Sequence, residues 1–571
     1  MPQLMIDPAP ALDGRRRRYA RKQALWTERE AGAWVEHWRD IAQYQYPRAG
    51  KFDTSDTNRG GKKHTLVYDN TAIFSRRTLA AGMMSGVTSP ARPWFRMGLS
   101  DKDLMEFDPV KQWLHDTAQL MRAVFASSNT YGALQQGYEE LGAFGTWANI
   151  ILPDFDNVIH HYPLTIGEYA LAANNRGQVD TVCREMKMTV ASMVEEFGLS
   201  ACSQTVQSLW RAANYDTWID VIHLIQPRRK RDQSLADSKN MPWESVYFEP
   251  SRDDFDTYLR ESGFRQFPAV CPRWSIRSNN VYGDSPGMEC LGDVKQLQFE
   301  QVRKSEAIDY KVRPPLQIPT QYADQAHKAL PGGRLFVDQV NPNGGIRTAF
   351  EVQLDLQHIR ESIEDVRERI RRAYHADLFL LISNDTRSNI TATEIAERHE
   401  EKLLMLGPVL ERLQNELLAP LVELTYQRMA EAKILPEAPR EIQGLDMEIE
   451  FISVMAQAQR LVATRGMDKL VTNVVQLAAV KPEIIDKINF DEYVDSTADA
   501  YGVDPKLIVD DAQVEEIRQA RAQQMAAQQA AAAAPVVADT AKTASEIDAD
   551  GIQDVMGLLQ GYNSPSPAFT G

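Results

Sequence analysis

The residues that could bind a nucleotide are poorly spaced. A phosphate-binding loop needs the pattern G-x-x-x-x-G-K-[ST], because its backbone amides and its lysine wrap the phosphates. Gly61-Lys62 is the nearest match, but Asp56 stands where the first glycine should be, and Lys63 replaces the hydroxyl residue. The sequence therefore predicts no nucleotide site.

Metal and catalytic patterns are no better supported. His160 and His161 are adjacent, and neighbours on a strand point to opposite faces, so both cannot face one ion. The segment 548–551 is similar to part of a calcium loop. However, Glu546 stands at the first ligand position, and Gly557 stands where a bidentate glutamate is needed. No Ser/His/Asp order or carboxylate pair stands out among the 79 acidic residues. We predict no catalytic residue, no metal, no cofactor and no enzymatic activity.

Two basic clusters could bind an acidic partner. The first is Arg15–Arg18 with Arg21 and Lys22, which is either a solvated helix face or a contact with DNA or an acidic partner. The second is a run of four residues after Pro227, on a predicted loop: Arg228, Arg229, Lys230 and Arg231. This run is either a solvated turn or a surface that docks an acidic partner.

Length, charge and cysteine content limit the classes of protein to which this chain could belong. A chain of 571 residues predicts roughly three to five folding units. The formal charge of −16 argues against tight DNA binding, which normally needs a basic face, but not against DNA sliding past the protein. The four cysteines form no CxxC pair and are predicted to be reduced, buried thiols of a protein made in a cytoplasm. We also expect no signal peptide and no membrane span.

The elements that would position these residues are mostly helical. Periodicity predicts helices over 14–46, from about Tyr68 to the turn-rich segment 89–95, over 109–145 and over 288–312. Between 213 and 285, alternating apolar residues among Pro, Asp and Ser predict a β-rich insertion. The fold class is therefore a mixed α+β protein, mostly helical.

The second half of the chain contains a strongly amphipathic pattern. Ile359, Ile363, Val366 and Ile370 form one apolar stripe on a predicted helix over 353–375 with a densely charged face. That face is either a flank that contacts a neighbouring subunit or a solvated surface with i,i+4 ion pairs. A polar loop follows, then a capping box at 391–394, a leucine-rich run divided by Pro408 and Pro420, and an Ala/Gln-rich segment over 511–535.

Three stretches together resemble the podovirus-type portal, or head-to-tail connector, family of bacteriophages. The first runs from Tyr68-Asp69-Asn70-Thr71-Ala72 to Pro93-Trp94-Phe95. The second is Cys271-Pro272-Arg273-Trp274, followed by Tyr282-Gly283-Asp284-Ser285-Pro286-Gly287 and Arg313-Pro314-Pro315. The third is Thr391-Ala392-Thr393-Glu394-Ile395 with Arg398, followed by Leu406-Gly407-Pro408-Val409 and by Arg412-Leu413-Gln414 with Glu416. Their order and separation fit the family from about residue 15 to 510.

The resemblance implies a portal fold with wing, stem, clip and crown, assembled as a twelve-subunit ring. The implied divisions are a wing over 1–186 and 313–382, stem helices over 187–212 and 287–312, a clip over 213–286, a channel loop over 383–391, a crown over 392–510, and an Ala/Gln-rich helix with a disordered tail over 511–571. In the loop, Asp385, Arg387 and Asn389 would face DNA, with Arg387 resisting its back-slippage.

The resemblance also implies location and partners. The protein would be part of the virion, at the portal vertex of the capsid, where it would contact the major capsid and scaffold proteins. Double-stranded DNA would pass through the ring, terminase would bind during filling, and tail adaptor and nozzle proteins would bind afterwards. Two other classes stay open: a nucleic-acid-processing ring enzyme (nuclease or helicase), and a structural scaffold without DNA contact.

Overall fold

The computed structural model describes residues 14–52, 61, 63–99, 101, 104–105, 107–235, 237–250, 258–319, 334–337, 347–348, 356–377, 379, 406–442, 447–451, 454–478, 481–501, 509 and 513–528. The chain divides into two compact units, Met1–Val462 and Ala463–Gly571.

The first half of the chain carries short and medium helices. They are α1 (Gly14–Ala31), α2 (Trp34–Gln45), α3 (Thr71–Val87), α4 (Asp108–Ser127), α5 (Thr130–Phe144), α6 (Val190–Phe197) and α7 (Gln204–Arg211). The predicted helical stretches 14–46 and 109–145 are thus each two helices. The first divides at Gly32-Ala33, where Ala33 adopts the left-handed conformation at φ 57°.

The second half of the chain adds the longer helices. They are α8 (Pro286–Glu289), α9 (Leu291–Val312), α10 (Leu356–Ala373), α11 (Gly407–Leu413), a π-helical turn (Gln414–Leu418), α12 (Ala419–Glu431), α13 (Val454–Ala478) and α14 (Phe490–Tyr501), with a further helix over 513–528. Short 3₁₀ turns cover Ser238–Asn240, Arg440–Ile442 and Pro482–Lys487. The helix over 513–528 is exposed along its length, which confirms a surface helix in the Ala/Gln-rich segment.

The described strands form one five-stranded sheet and three smaller sheets. They are β1 (Phe95–Leu99), β2 (Ala148–Asp154), β3 (Val158–Leu164), β4 (Tyr169–Ala173), β5 (Val179–Thr189), β6 (Trp218–Pro227), β7 (Trp243–Phe248), β8 (Arg260–Phe264), β9 (Ala269–Val270), β10 (Leu316–Pro319), β11 (Arg334–Val337), β12 (Arg347–Thr348) and β13 (Met447–Phe451). In the described residues the strand orders are β4-β5-β6-β7-β8, β3-β2-β9, β11-β10-β12 and β1-β13. Among the strand pairs that the structure describes, the β10–β11 pair alone is parallel.

The five-stranded sheet crosses a predicted boundary. The β-rich insertion was expected over 213–286, but β6 pairs along its length with β5, from Val182↔Ile225 to Thr189↔Trp218. Strands β4 and β5, expected in the wing up to residue 186 and in a stem helix from 187, therefore belong to the same sheet as β6, β7 and β8. A sheet edge can pair with any extended strand, and the sequence pattern alone does not show which one it will be.

The prediction of a single helix over 187–212 is wrong. Strand β5 continues to Thr189, and two helices of eight residues follow. Gly198 ends α6 at φ 82°, a conformation that glycine adopts readily. The Ser203 side chain accepts a hydrogen bond from the backbone amide of Val206 and so begins α7 as a new helix.

The amphipathic helix is confirmed, and its apolar stripe lies in the main core. Ile363, Val366 and Ile370 are buried on α10, with Ile359 partly buried beside them. The same core contains residues of α3, α4, α5, α9, α11 and α12. Residues 406–442, expected in the crown, thus pack with the helices of the expected wing. Each proline of the leucine-rich run lies in the first turn of a helix, Pro408 in α11 and Pro420 in α12, and the π-helical turn joins these two helices without a break.

The four cysteines are free and buried, as predicted, and burial raises the pKa of the Cys183 and Cys290 thiols to about 12. Thiols of this kind are inert toward oxidation and exchange. Among the described helices, none is both long and apolar enough to cross a membrane.

Candidate docking surface and the contacts that shape the subunit

The expected channel loop lies outside the described residues. This applies to Asp385, Arg387 and Asn389, and to the capping box over 391–394. Their role stays a prediction.

The basic run after β6 is divided between interior and surface. Arg228 turns inward: its side chain is 7% exposed, pairs with Glu261 at 3.3 Å and donates to the Ser262 carbonyl at 2.9 Å. Its own backbone amide donates to the Pro242 carbonyl across the β6–β7 turn. The prediction that Arg228 docks a partner is therefore corrected, because its charge is already neutralised within the sheet. Arg229, Lys230 and Arg231 are exposed, and they remain a candidate docking surface.

The N-terminal basic cluster is also more than a solvated face. The Arg18 guanidinium lies under α1 and donates to both carboxylate oxygens of Glu244, at 2.8 and 3.2 Å, and to the Tyr258 hydroxyl. Lys22, one turn further along α1, pairs with Glu185 on β5 at 3.1 Å. Helix α1 is thus attached to the five-stranded sheet by charged contacts, which we call the α1 clasp. Arg17 lies next to Arg18 and is exposed.

Two opposing effects act on the Glu244 carboxyl. Burial favours its neutral form and would raise its pKa, but the hydrogen bonds from Arg18 and Gln226 outweigh burial and lower the pKa. The pair is therefore ionised at neutral pH, and each charge satisfies the other inside the protein.

Asp69, in the first of the three recognised stretches, joins three helices. Its carboxylate accepts hydrogen bonds from the Thr71 amide (2.9 Å) and hydroxyl at the start of α3, and from Gln301 of α9 (2.8 Å). It also accepts two from the Arg367 guanidinium of α10, at 2.7 and 3.1 Å. Burial alone would raise the pKa of Asp69, but these bonds outweigh it and lower the pKa. The residue thus fixes the relative positions of α3, α9 and α10.

Arg273 joins the second stretch to the third. Its guanidinium forms a paired contact with both Glu416 oxygens, at 2.8 and 3.1 Å, and donates to the Gly177 carbonyl at 2.7 Å. Its side chain is 3% exposed. Glu416 lies in the π-helical turn, where the wider turn displaces the backbone from the α-helical ladder. These residues, 143 positions apart, hold the β-strand region against α11 and α12.

The glycines of the second stretch allow close packing. A Cβ atom on Gly283 would lie 2.6 Å from the Gly145 carbonyl oxygen, and one on Gly287 would lie 2.6 Å from that of Ala143. Ser285 donates to the Ala143 carbonyl at 2.7 Å and caps α8 by accepting from the Met288 amide. This segment is therefore a structural contact with the end of α5.

Another buried carboxyl, that of Glu140, has no hydrogen bond from an arginine among the described contacts. Glu140 of α5 accepts hydrogen bonds from the Thr165 hydroxyl at 2.7 Å and the Ile166 amide at 3.3 Å. Full burial raises its pKa to about 7. His161 is buried as well; burial lowers its pKa to about 4, and it bonds Thr130 and Asn149 at 2.8 Å each. His161 therefore has a structural role, as the alternation along β3 predicted.

A polar cleft of about 950 Å³ opens between the β4–β5 turn and α12. Its walls include Arg176, Arg273, Arg412, Glu416 and Glu423. The charges are mixed, and the described residues contain no group of acidic, histidine or cysteine side chains that could hold a metal ion.

Sequence reasoning missed the distant partners that the charged residues of these motifs bond in the folded subunit. Arg18, Asp69 and Arg273 each bond a partner more than 140 positions away. Asp69 gave one local signal, because an aspartate side chain commonly accepts a hydrogen bond from the backbone amide two residues later. Nothing local pointed to Glu244 or Glu416.

Comparison with known proteins identifies the family of this chain. Residues 16–509 match the family model described as bacteriophage head to tail connecting protein. The chain is 54% identical over 541 residues to the probable portal protein of Bordetella phage BPP-1, covering 94% of this chain and 97% of that one. It is 43% identical over 526 residues to the portal protein of Salmonella phage epsilon15, covering 92% and 94%.

The chain belongs to the bacteriophage head-to-tail connecting protein family. Its function is that of a phage portal protein, and the family is a structural one. A solved structure, the neck of an empty gene transfer agent particle, covers 75% of this chain and 90% of its own at 11% identity, with a TM-score of 0.36.

Proposed function

We propose that copies of this chain form a closed ring at the capsid vertex, with DNA entering and leaving through the central channel. The observation that carries the proposal is the family match over 16–509, together with two portal relatives that cover more than nine tenths of the chain. A ring of identical subunits needs two different complementary surfaces on each subunit.

Helix α9 offers one surface that a neighbouring copy would cover. Val294 and Leu297 are buried in the core, and the same helix face continues through Ile308 and Val312, which are 40% and 70% exposed. These four residues fall close to one line at 3.6 residues per turn. The second half of the stripe thus leaves the core of the subunit, as expected where another copy supplies the missing contact.

We assign the passage of DNA to an acidic channel and the retention of DNA to the loop over 383–391. A lining of net negative charge repels phosphates evenly, so that DNA meets no deep binding site. Arg387 is the one cation of the loop and would contact phosphates as a ring of guanidinium groups, with Asp385 and Asn389 beside it. The force for packaging would come from a separate ATP-driven terminase.

The exposed residues Arg229, Lys230 and Arg231 would dock acidic surfaces of terminase and then of tail proteins. This assignment is supported by their position on a turn of the five-stranded sheet and by the absence of an ion pair to any of the three among the described contacts.

The ring is tested by imaging the purified full-length chain by negative-stain electron microscopy and weighing it by mass photometry. Rings with a central pore are expected. A compact single particle that never closes a ring overturns the proposal, and metal-dependent cleavage of DNA by single chains would favour the nuclease alternative.

The retention role is tested separately by Arg387→Ala in assembled phage. Heads that package normally but retain shorter genomes are expected. Unchanged genome length would remove the retention role from Arg387 without affecting the ring.

A further inference from the structure

The β2–β3 hairpin presents an aromatic side chain at its tip. Phe155 is 104% exposed, the largest exposed fraction among the large apolar side chains that the structure describes as exposed. Strands β2 and β3 pair without interruption from Ala148↔Leu164 to Asp154↔Val158, so the tip consists of Phe155, Asp156 and Asn157. A phenylalanine in water at the end of a regular hairpin contributes nothing to the core of its own subunit.

The backbone of this tip is held in a specific shape. The Asp154 carboxylate accepts a hydrogen bond from the Asn157 amide at 3.0 Å, and Val158 adopts φ 69°. A β-branched residue is unfavourable in that region, and such strain persists where the surroundings fix the conformation and where the shape is used. Val158 packs against the main core and Ile159 is buried in it. Phe155 is therefore presented by a rigid support.

The tip has an acidic flank. Asp154 and Asp156 stand on either side of Phe155, and Asp156 is exposed. A surface that receives this tip should combine apolar side chains with positive charge. It should also lie on another part of the same chain, because a cyclic ring brings different surfaces of identical subunits together.

The start of α3 is such a surface. Leu66, Tyr68 and Phe74 are 41%, 62% and 60% exposed, and we call these residues the α3 surface. Helix α3 contains arginines and no acidic residue, and Arg77 is exposed one turn from Phe74. Asp69, just before α3, is turned inward and paired with Arg367. Glu139, which acts electrostatically on Arg77, is itself paired with the buried Arg76. The α3 surface is thus apolar and positive, the opposite in charge of the hairpin tip.

Helix α5 connects the two surfaces within one subunit, since both α3 and β3 pack on it. Their separation is therefore fixed by the fold, as ring closure requires. We infer that Phe155, at the tip of the β2–β3 hairpin, packs against the α3 surface of the next copy, with Asp156 beside Arg77. This inference rests on the proposed ring and adds the residues that would close it.

The first test is Phe155→Ala in the full-length chain, with Ile434→Ala as a matched control. Ile434 is 45% exposed and lies after α12, away from both surfaces in sequence. Mass photometry over a series of concentrations gives the concentration at which half of the chains are in rings. A central aromatic anchor lost from an interface should raise that concentration by about ten-fold or more. Ile434→Ala should assemble like the wild-type chain.

The second test reverses the charges. Asp156→Arg alone and Arg77→Asp alone should each weaken ring formation, and the double variant should recover most of it, because the pair is restored with opposite polarity. Recovery in the double variant distinguishes direct pairing from damage to the fold, which a second substitution would not repair.

The outcomes separate the two proposals. If wild-type chains form rings and Phe155→Ala assembles as Ile434→Ala does, the hairpin contact is overturned and the ring stands. If the single charge reversals weaken the ring and the double variant does not recover, Asp156 and Arg77 do not pair and the inference fails. If wild-type chains never form rings, the proposed ring and the contact fail together.

Discussion

Arginine–carboxylate pairs occur in two very different settings in this molecule, the α1 clasp and helix α10. In the clasp, Arg18 and Glu244 are 7% and 4% exposed and hold α1 against the five-stranded sheet. On α10, Arg369, Arg371 and Arg372 are between 36% and 69% exposed and pair with carboxylates that are between 27% and 55% exposed. The residue types are the same, but the surroundings are not.

The difference in burial determines which of these ion pairs stabilise the fold. An exposed pair gains little, because water already solvates both groups and salt screens them. A buried pair contributes through the penalty for breaking it, since the remaining charge would be left without a partner. The number of ion pairs along α10 is therefore a poor guide to stability, and the single clasp should matter more than all of the exposed pairs on that helix.

The largest effect should follow Arg18→Ala. The substitution leaves the buried Glu244 carboxylate with Gln226 as its one hydrogen-bond partner among the described contacts, and we expect a loss of about 3–5 kcal/mol in the free energy of unfolding. Urea unfolding of the full-length chain, at one protein concentration and in one assembly state, measures it. Arg17→Ala is the matched control, because Arg17 is exposed and should change stability by less than about 0.5 kcal/mol. Equal losses in the two variants would show that the clasp is not special.

The second-largest effect is expected at Glu140, a buried carboxyl that, unlike Glu244, has no hydrogen bond from an arginine among the described contacts. The folded-state pKa of Glu140 is about 7, above its ordinary value of 4.5. The folded state therefore binds the proton more tightly, so the contribution of Glu140 is fully present below pH 4.5 and is lost as pH rises through 7. A difference of 2.5 pKa units corresponds to about 3 kcal/mol.

Glu140→Gln should remove this slope. Thermal unfolding of both chains between pH 5 and 8.5 should show the variant gaining stability relative to the wild-type chain as pH rises, whatever constant offset the amide introduces. Parallel curves would mean that Glu140 is already ionised in the folded protein at pH 5.

The sequence predicted the helices with strong periodicity better than it predicted contacts. The stripe on α10 is visible in four isoleucine and valine residues, because a helix repeats every 3.6 residues and needs no knowledge of its partner. The partner of Arg18 could not be predicted in this way, because Glu244 is 226 positions away and belongs to a strand whose neighbours were unknown. Strand β1 was missed for the same reason, since Phe95–Leu99 is extended only because it pairs with Met447–Phe451.

The candidate docking surface, too, depends on contacts with distant residues that the local sequence does not reveal. The basic run after Pro227 was visible as a charge cluster, but its division between interior and surface depends on Glu261, which approaches only when β8 joins the sheet. The hairpin tip at Phe155 gave no charge or periodicity signal. Its exposure is a property of the folded subunit.

A smaller effect is expected for Arg367→Ala, because the Arg367–Asp69 pair is more exposed than the α1 clasp and less exposed than the other pairs on α10. Arg367 is 33% exposed, but its partner Asp69 is 5% exposed and keeps three other hydrogen bonds, from Thr71 and Gln301. We expect a loss of about 2 kcal/mol, the usual size for a hydrogen bond to a charged group. Arg360→Ala on the same helix is the control, because Arg360 is exposed. A loss as large as that of Arg18→Ala would mean that the Asp69 junction, and not the clasp, is the dominant charged contact.

The smallest effect should follow Arg372→Ala. The Arg372 side chain is 69% exposed and contacts Glu368 one turn earlier at 3.2 Å, an i,i+4 pair of the kind that contributes about 0.3–0.5 kcal/mol. Glu368 also lies 3.7 Å from Arg371, so its charge keeps a neighbour when Arg372 is removed. Urea unfolding in low and high salt should show a difference that disappears as salt rises. A larger loss that persists in salt would mean that this face of α10 is buried in the assembled protein, where a neighbouring copy replaces water around the pair and gives it the energetics of the clasp.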